Sequence, residues 1–299
     1  MYSIKETGAD RAFNIINYVL LVIVLIIIIY PLWFVLIASV SDPDLVNSGK
    51  VYLIPKRISF EGYRRIFQDG EILMSYKNTL IYTIAGTLLN LTLTLMCAYA
   101  LSKKKLYGRN VITFLFTFTM FFSGGLIPTY LVVKQLGLLN KIWALILPGA
   151  ISMYNVIIAR TFFQSTIPEE IEESAMIDGS SVTNTFLKII LPLSKALISV
   201  LTLFYAVGHW NSYFDALIYL TNRKLYPLQI ILREILIENQ MKADMVAEGL
   251  MEESMINKVK YASLIKYGII IVSSLPVFMI YPFIQKYFVG GIMIGSLKG

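Results

Sequence analysis

No charged residue occurs between Arg11 and Asp42, and apolar side chains fill most of that interval. A helix needs about 20 predominantly apolar residues to cross the hydrocarbon core of a bilayer. A secretory signal has an apolar core of only about 7–15 residues, so this run reads as a retained first span. Five more runs follow, giving expected spans at about 15–39, 78–101, 111–133, 142–163, 193–220 and 263–288. An isolated strand would leave its backbone groups unpaired in lipid, so the spans are expected to be helical. The fold class is all-α, a polytopic membrane protein with six transmembrane helices.

Composition agrees. The chain is 57% hydrophobic and 15% charged, against about 25% charged residues in soluble domains. Its net charge of +7 sits on residues flanking apolar runs, which points to orientation in a membrane and not to nucleic acid. Cys97 is the single cysteine and lies in an apolar run, so neither an intrachain disulfide nor a multi-cysteine metal site can form. No metal-binding pattern and no phosphate-cradling G-x-x-x-x-G-K-[ST] is present. No catalytic residue, metal or bound cofactor is expected in this chain.

Glycine and proline punctuate the runs. Pro31 lies in the first, Ser123-Gly124-Gly125 and Pro128 in the third, Pro148-Gly149 in the fourth, and Pro276 and Pro282 in the last. Such residues mark bundle interiors where neighbours satisfy the freed backbone groups. The loop after the second run carries Lys103, Lys104, Lys105 and Arg109 with no acid. Basic short loops stay in the cytoplasm, which with six spans puts both termini inside. The interval 221–262 then lies outside, with Ile230, Ile231, Leu232, Ile235 and Leu236 able to form one apolar helical face.

The segment 165–192 faces the cytoplasm under this topology. Thr166 or Ser165 is expected to cap a helix starting near Pro168. Glu169, Glu170, Glu172 and Glu173 fill its first turn, where the helix dipole favours negative charge. Ile171, Ala175 and Met176 supply an apolar side, and Gly179 fits the left-handed C-terminal position. Ser180 or Ser181 caps a second helix with Phe186, Ile189 and Ile190 on its apolar side, running through Pro192 into the fifth span. Small Ser174 and Ala175 beside Gly179 would admit another surface. A docking element is favoured over a hairpin that only links two spans.

The residues here resemble a known family. Glu173-Ser174-Ala175, three residues, Gly179, nine residues, then Ile189-Ile190-Leu191-Pro192 is similar to the E-A-A, three, G, nine, I-x-L-P signature of permease subunits of ATP-binding-cassette importers. Ser174 departs from the commonest alanine but is also small. The Asp178-Gly179 pair, Phe186, and the tail from Gln285 to Gly299 resemble the carbohydrate branch, in its smaller maltose-permease-like type. The resemblance implies a type I importer permease in a bacterial cytoplasmic membrane. Glu172, Glu173, Ser174, Ala175, Asp178 and Gly179 would form a coupling helix docked on a cytoplasmic ATPase dimer. Lys298 and Gly299 would reach that dimer, which would hold the ATP and magnesium. A second permease chain would supply the other half of the path, and an extracytoplasmic solute-binding protein would meet the 221–262 loop. The substrate would be an oligosaccharide.

Two readings in the fifth run remain open at this point. Trp210, Tyr213 and Phe214 share one helical face with Leu217, and Asn211 lies beside it; aromatic faces stack on sugars and asparagine bonds hydroxyls. The W-N-x-x-F stretch resembles one in sugar permeases with its spacing shifted, and plain helix packing is the alternative. His209 and Asp215 invite a proton relay, but six positions place them about 120° apart on a helix. An ion-coupled secondary transporter and a non-transporting receptor or scaffold are the rival functions.

Overall fold

The computed structural model describes residues 7–247, 265–282 and 285, and no strand occurs among them. The chain divides into two compact units, residues 1–69 with 232–274, and residues 70–231 with 275–299.

In the first unit, α1 (Gly8–Ser39) opens on a capping box in which the Thr7 side chain accepts from the Asp10 N–H and Asp10 accepts from the Thr7 N–H. Its 18-residue apolar window has a mean hydropathy of 3.2 and is only 6% buried. That uncovered apolar length belongs against lipid. Only its last turn packs: Ile37 and Ala38 meet Val46 of α2 (Pro43–Asn47) and Val51. Phe34 meets Tyr267 edge to face at 5.9 Å. The short α3 (Glu61–Gln68) brings Ile66 so near Gly268 that a Cβ there would lie 2.9 Å from Ile66 Cδ1.

The second unit is built on α4 (Gly70–Ser102). One face of α4 carries buried Ser75, Thr79, Thr83, Thr87, Asn90 and Thr94 at steps of three or four. This inverts the soluble pattern, because helices in lipid associate through small and polar residues. Then come α5 (Arg109–Phe121), α6 (Leu126–Gln135), α7 (Trp143–Ile146), α8 (Met153–Thr166) and α9 (Glu169–Ile177). They are followed by α10 (Val182–Leu193), α11 (Lys195–Trp210) and α12 (Phe214–Tyr219); α13 (Leu228–Ala247) and α14 (Ile265–Pro282) each have residues in both units. The core lies where α4, α8, α10 and α11 converge, around Ala98, Val156, Ala159, Ile190 and Leu201.

Among the described residues, three helices, α1, α4 and α14, are each long and apolar enough to cross a membrane. The count rises to five if each of two bent pairs is one span. The expected helices over 111–133, 142–163 and 193–220 are all interrupted. The α5–α6 pair turns by 114° at Ser123-Gly124-Gly125, where Gly125 takes a φ of +85°. The fourth run breaks after α7 at Pro148-Gly149, where the Gly149 carbonyl accepts from Asn90 Nδ2 at 2.7 Å. A neighbouring side chain thus satisfies the freed backbone group.

The fifth run is broken twice. α10 and α11 meet at 82°, so the hairpin does not run straight through Pro192 into the span. Pro192 has no N–H to donate, the preceding turn widens to a π-helix over Phe186–Ile190, and Ser194 Oγ bonds the Ile190 carbonyl at 2.7 Å. α11 then stops at Trp210, where Asn211 Nδ2 takes the Val207 carbonyl at 2.9 Å. The interval expected to be an outer loop begins with the helix α13, whose Leu228, Ile230 and Ile231 are buried.

Candidate functional site

The acidic hairpin has the expected helix–turn–helix form, with one local correction. Thr166 and Ser165 belong to the end of α8, and Pro168 itself is the N-cap of α9, without a side-chain cap bond. The turn closes as a Schellman motif. The Ser180 N–H donates to the Ala175 carbonyl at 2.9 Å, and the Gly179 N–H to the Met176 carbonyl at 3.0 Å. Gly179 has a φ of +80°, a region that side chains with a Cβ enter at a cost of about 1–2 kcal/mol. Ser181 caps α10, accepting from the Asn184 N–H at 3.3 Å.

Burial divides the hairpin into two faces. Ala175, Phe186 and Ile190 are buried, while Glu173, Ser174, Asp178 and Gly179 are exposed. Met176 was expected inside and is exposed, as are Ile177 and Val182. An added Cβ at Gly179 would meet no atom within 4 Å. The tight turn therefore stands in open space beside exposed apolar side chains.

The other face of α9 is tied to the basic loop. Lys103 Nζ pairs with Glu172 Oε1, and Lys104 Nζ with Glu169 Oε1 at 3.0 Å. The Lys104 ammonium, hydrogen-bonded to it, holds the Glu169 carboxyl below the usual carboxylate range, and Lys103 and Lys105 add to the effect. Lys103 also lies 4.2 Å above the Tyr99 ring. That ring packs on Phe186 of α10 at 4.7 Å and on Phe163 of α8 at 5.9 Å. Gln164 Nε2 adds a bond to the Ser102 carbonyl at 3.0 Å. The basic loop and the acidic hairpin therefore occupy the same end of this unit. Tyr99 was not singled out from sequence, and Lys103 was read only as a topology signal. An acid-free basic loop and an acid-rich helix of matching size were the available signal.

The fifth-run residues are not gathered as expected. Trp210 is buried, with its ring edge to face with Tyr76 at 5.7 Å. Asn211 lies in the break, and Tyr213 and Phe214 are exposed beyond it. The shared face with Leu217 is lost because the helix ends between them. His209 does not approach Asp215 as a partner; its Nε2 bonds Asn90 Oδ1 at 2.8 Å. It reaches α4 at Gly86, where a Cβ would lie 2.4 Å from His209 Nε2. Nearby, Thr94 Oγ1 and the Tyr205 hydroxyl are bonded at 2.6 Å. Lys298 and Gly299 lie outside the described residues.

No family model matches the chain. It is 42% identical to the polygalacturonan/rhamnogalacturonan transport system permease protein YtcP of Bacillus subtilis (strain 168), over 97% of this chain and 99% of that protein. It is 30% identical to the galactooligosaccharides transport system permease protein GanQ of the same organism, over 95% of each. A solved structure, of a bacterial ABC transporter involved in the import of the acidic polysaccharide alginate, contains a chain matching with a TM-score of 0.85 and 32% identity. That match covers 96% of this chain and 100% of the other. The helical fold and these likenesses along nearly the whole length show that the chain belongs to the permease subunits of carbohydrate ABC transport systems, which are not themselves enzymes and rely on ATP hydrolysis by a partner ATPase.

Proposed function

We propose that this chain forms half of the path through which a binding-protein-dependent importer moves an oligosaccharide across a bacterial cytoplasmic membrane. A second, similar permease chain supplies the other half, and both termini of this chain lie in the cytoplasm. The substrate is an acidic oligosaccharide, a choice supported by the polygalacturonan/rhamnogalacturonan and alginate systems among the relatives. The solute-binding protein meets the outer interval that begins with α13. The ATPase dimer, carrying ATP and magnesium, docks on the exposed face of α9 and its turn, and the tail at Lys298 and Gly299 reaches the same dimer.

One observation carries this reading. The hairpin leaves Ser174, Met176, Ile177, Asp178, Gly179 and Val182 open while Glu172 and Phe186 anchor it to the bundle. In the cycle, ATP binding closes the ATPase dimer and shifts α9, and the shift changes access to the path as a rigid-body transition between two states. Because α10 and α11 meet at 82°, motion passes less directly along the chain into α11. It passes sideways into α4 through Lys103 and Tyr99.

The test is uptake of radiolabelled oligosaccharides by cells carrying Gly179→Asp, paired with co-purification of the ATPase. Loss of both, with the protein still in the membrane, is expected. Undiminished ATP-dependent uptake would remove the docking role of the hairpin, and uptake abolished only by collapsing the ion gradient would point to a secondary transporter.

A further inference from the structure

α5 carries one narrow polar seam. Arg109, Thr113 and Thr117 are half-buried, and every other residue of α5 is exposed. The three stand four residues apart, so they form a single line along the helix. α5 packs against α8, and the seam is therefore the side that faces α8. The rest of α5 is largely apolar. Val111, Phe114, Leu115, Phe118 and Phe121 are uncovered, and Phe114, Phe118 and Phe122 form a ladder of rings at 6.5 and 4.3 Å. That surface belongs against acyl chains.

Unmet polar atoms lie on both helices of this pair. Thr113 Oγ1 of α5 and Arg160 Nε of α8 are buried without a hydrogen-bond partner among the described residues. By the helical rise, Thr113 stands about 6 Å in from Arg109, and Arg160 about 9 Å in from Thr166. Both are thus at similar depth from the end that carries the basic loop and the acidic hairpin. The acids there do not answer them. Glu172 and Glu169 are taken by Lys103 and Lys104, and neither Arg109 nor Arg160 pairs with a carboxylate among the described residues. An arginine inside a span is costly and calls for a partner, and a buried unsatisfied donor calls for one too. Two guanidinium groups beside a hydroxyl make an anion site, and the guanidinium fork matches phosphate oxygens in pairs. The seam opens onto an apolar surface, so its ligand has to bring an anion and apolar chains together. Basic pockets between helices at the cytoplasmic side bind lipid head groups.

We propose that the seam between α5 and α8 is a site for the phosphate of an anionic phospholipid. Arg160 and Arg109 hold the phosphate, the Thr113 hydroxyl donates to it, and the acyl chains lie along Phe114 and Phe118. Placing this lipid in the inner leaflet rests on the topology proposed above; the phosphate contact does not.

The full importer, purified in detergent, provides the test. Native mass spectrometry reads its tightest-bound lipid as phosphatidylglycerol or phosphatidylcholine is added. Phosphatidylglycerol is expected to bind at least fivefold more tightly than phosphatidylcholine, whose choline cancels the charge. Arg160→Gln is expected to weaken phosphatidylglycerol at least tenfold. Thr113→Val, which keeps the side-chain shape, is expected to weaken it about threefold. Unchanged phosphatidylglycerol binding in both variants would overturn the site. So would loss of the second permease chain from the Arg160→Gln complex with lipid binding intact, because that chain would then be what covers the seam. Displacement of the lipid by millimolar inorganic phosphate would make the ligand free phosphate and overturn the lipid. Sidedness is read separately, by an impermeant maleimide on Lys105→Cys in a Cys97→Ser background. Labelling in inside-out vesicles alone is expected; labelling in right-side-out vesicles would overturn the leaflet and the topology while the lipid contact stands.

Discussion

The two ends of α4 are fastened by different chemistry. At the hairpin end, the contacts run from side chain to side chain and are largely charged or aromatic: Lys103 with Glu172, Lys104 with Glu169, and Tyr99 with Phe163 and Phe186. At the other end, α4 side chains grip the backbone of 224–228. Asn78 Nδ2 donates to the carbonyls of Lys224 at 2.8 Å and Tyr226 at 3.1 Å. The Tyr82 hydroxyl donates to the Leu225 carbonyl at 2.8 Å, and Thr79 Oγ1 accepts the Leu228 N–H at 2.8 Å. Bonds to backbone fix a chain path directionally. Ion pairs and ring contacts tolerate sliding. The far end also has the Glu71–Arg223 ion pair and the Tyr76–Trp210 ring contact, but it adds to them directional bonds to backbone that do not survive sliding, whereas the segment expected to move is held mainly by contacts that do.

Tyr99→Ala should break the hairpin end most severely. Large-to-small changes at buried aromatic positions cost about 3–5 kcal/mol, so the thermal midpoint in detergent should fall sharply, and Tyr99→Phe should recover most of it. Next comes the middle of α4. Gly86→Ala forces a methyl against the His209 ring, and overpacking of this kind costs about 1–3 kcal/mol. His209→Ala in the same chain should restore part of the loss, which a simple helix-propensity effect would not allow.

At the backbone-gripping end, Asn78→Ala should cost about 1 kcal/mol for the lost neutral hydrogen bonds, and the shift should not depend on salt. Lys104→Ala should give the smallest change of the series. Its partner Glu169 is fully exposed, so the pair is screened. Because the Glu169 pKa is lowered on folding, its contribution is present above the ordinary carboxylate range and is lost as pH falls through the lowered value. Melts of the wild type and Lys104→Ala should therefore converge in acid and in high salt. If the Asn78 variant were the salt-sensitive one, the contrast between the two ends would be wrong.

What the sequence revealed follows the range of the interactions involved. The α9 turn was legible because Gly179, Ser180 and Ala175 close it within six residues. The break at Ser123-Gly124-Gly125 was legible for the same reason. The 82° bend at Ser194 was not. Proline alone is compatible with a mild kink, and the bend needs the π-turn and the Ser194 hydroxyl together. The face expected from Trp210, Tyr213 and Phe214 does not form because α11 ends at Trp210, with Asn211 Nδ2 donating to the Val207 carbonyl. His209 found its partner Asn90 and its clearance at Gly86 more than a hundred residues earlier, which no local pattern encodes.

The pairing of Lys103 with Glu172 spans 69 residues, and this has a consequence for biosynthesis. The ribosome adds about 5–20 residues per second, so several seconds separate the emergence of the lysines from that of the acids. In the proposed topology, Lys103 and Lys104 are bare while α4 is being threaded into the bilayer and exert their full retention in the cytosol. Only after the later helices follow are those charges neutralised. Under the topology and docking proposed above, the same lysines serve first as an address read once during insertion, and afterwards as a joint in the transport cycle.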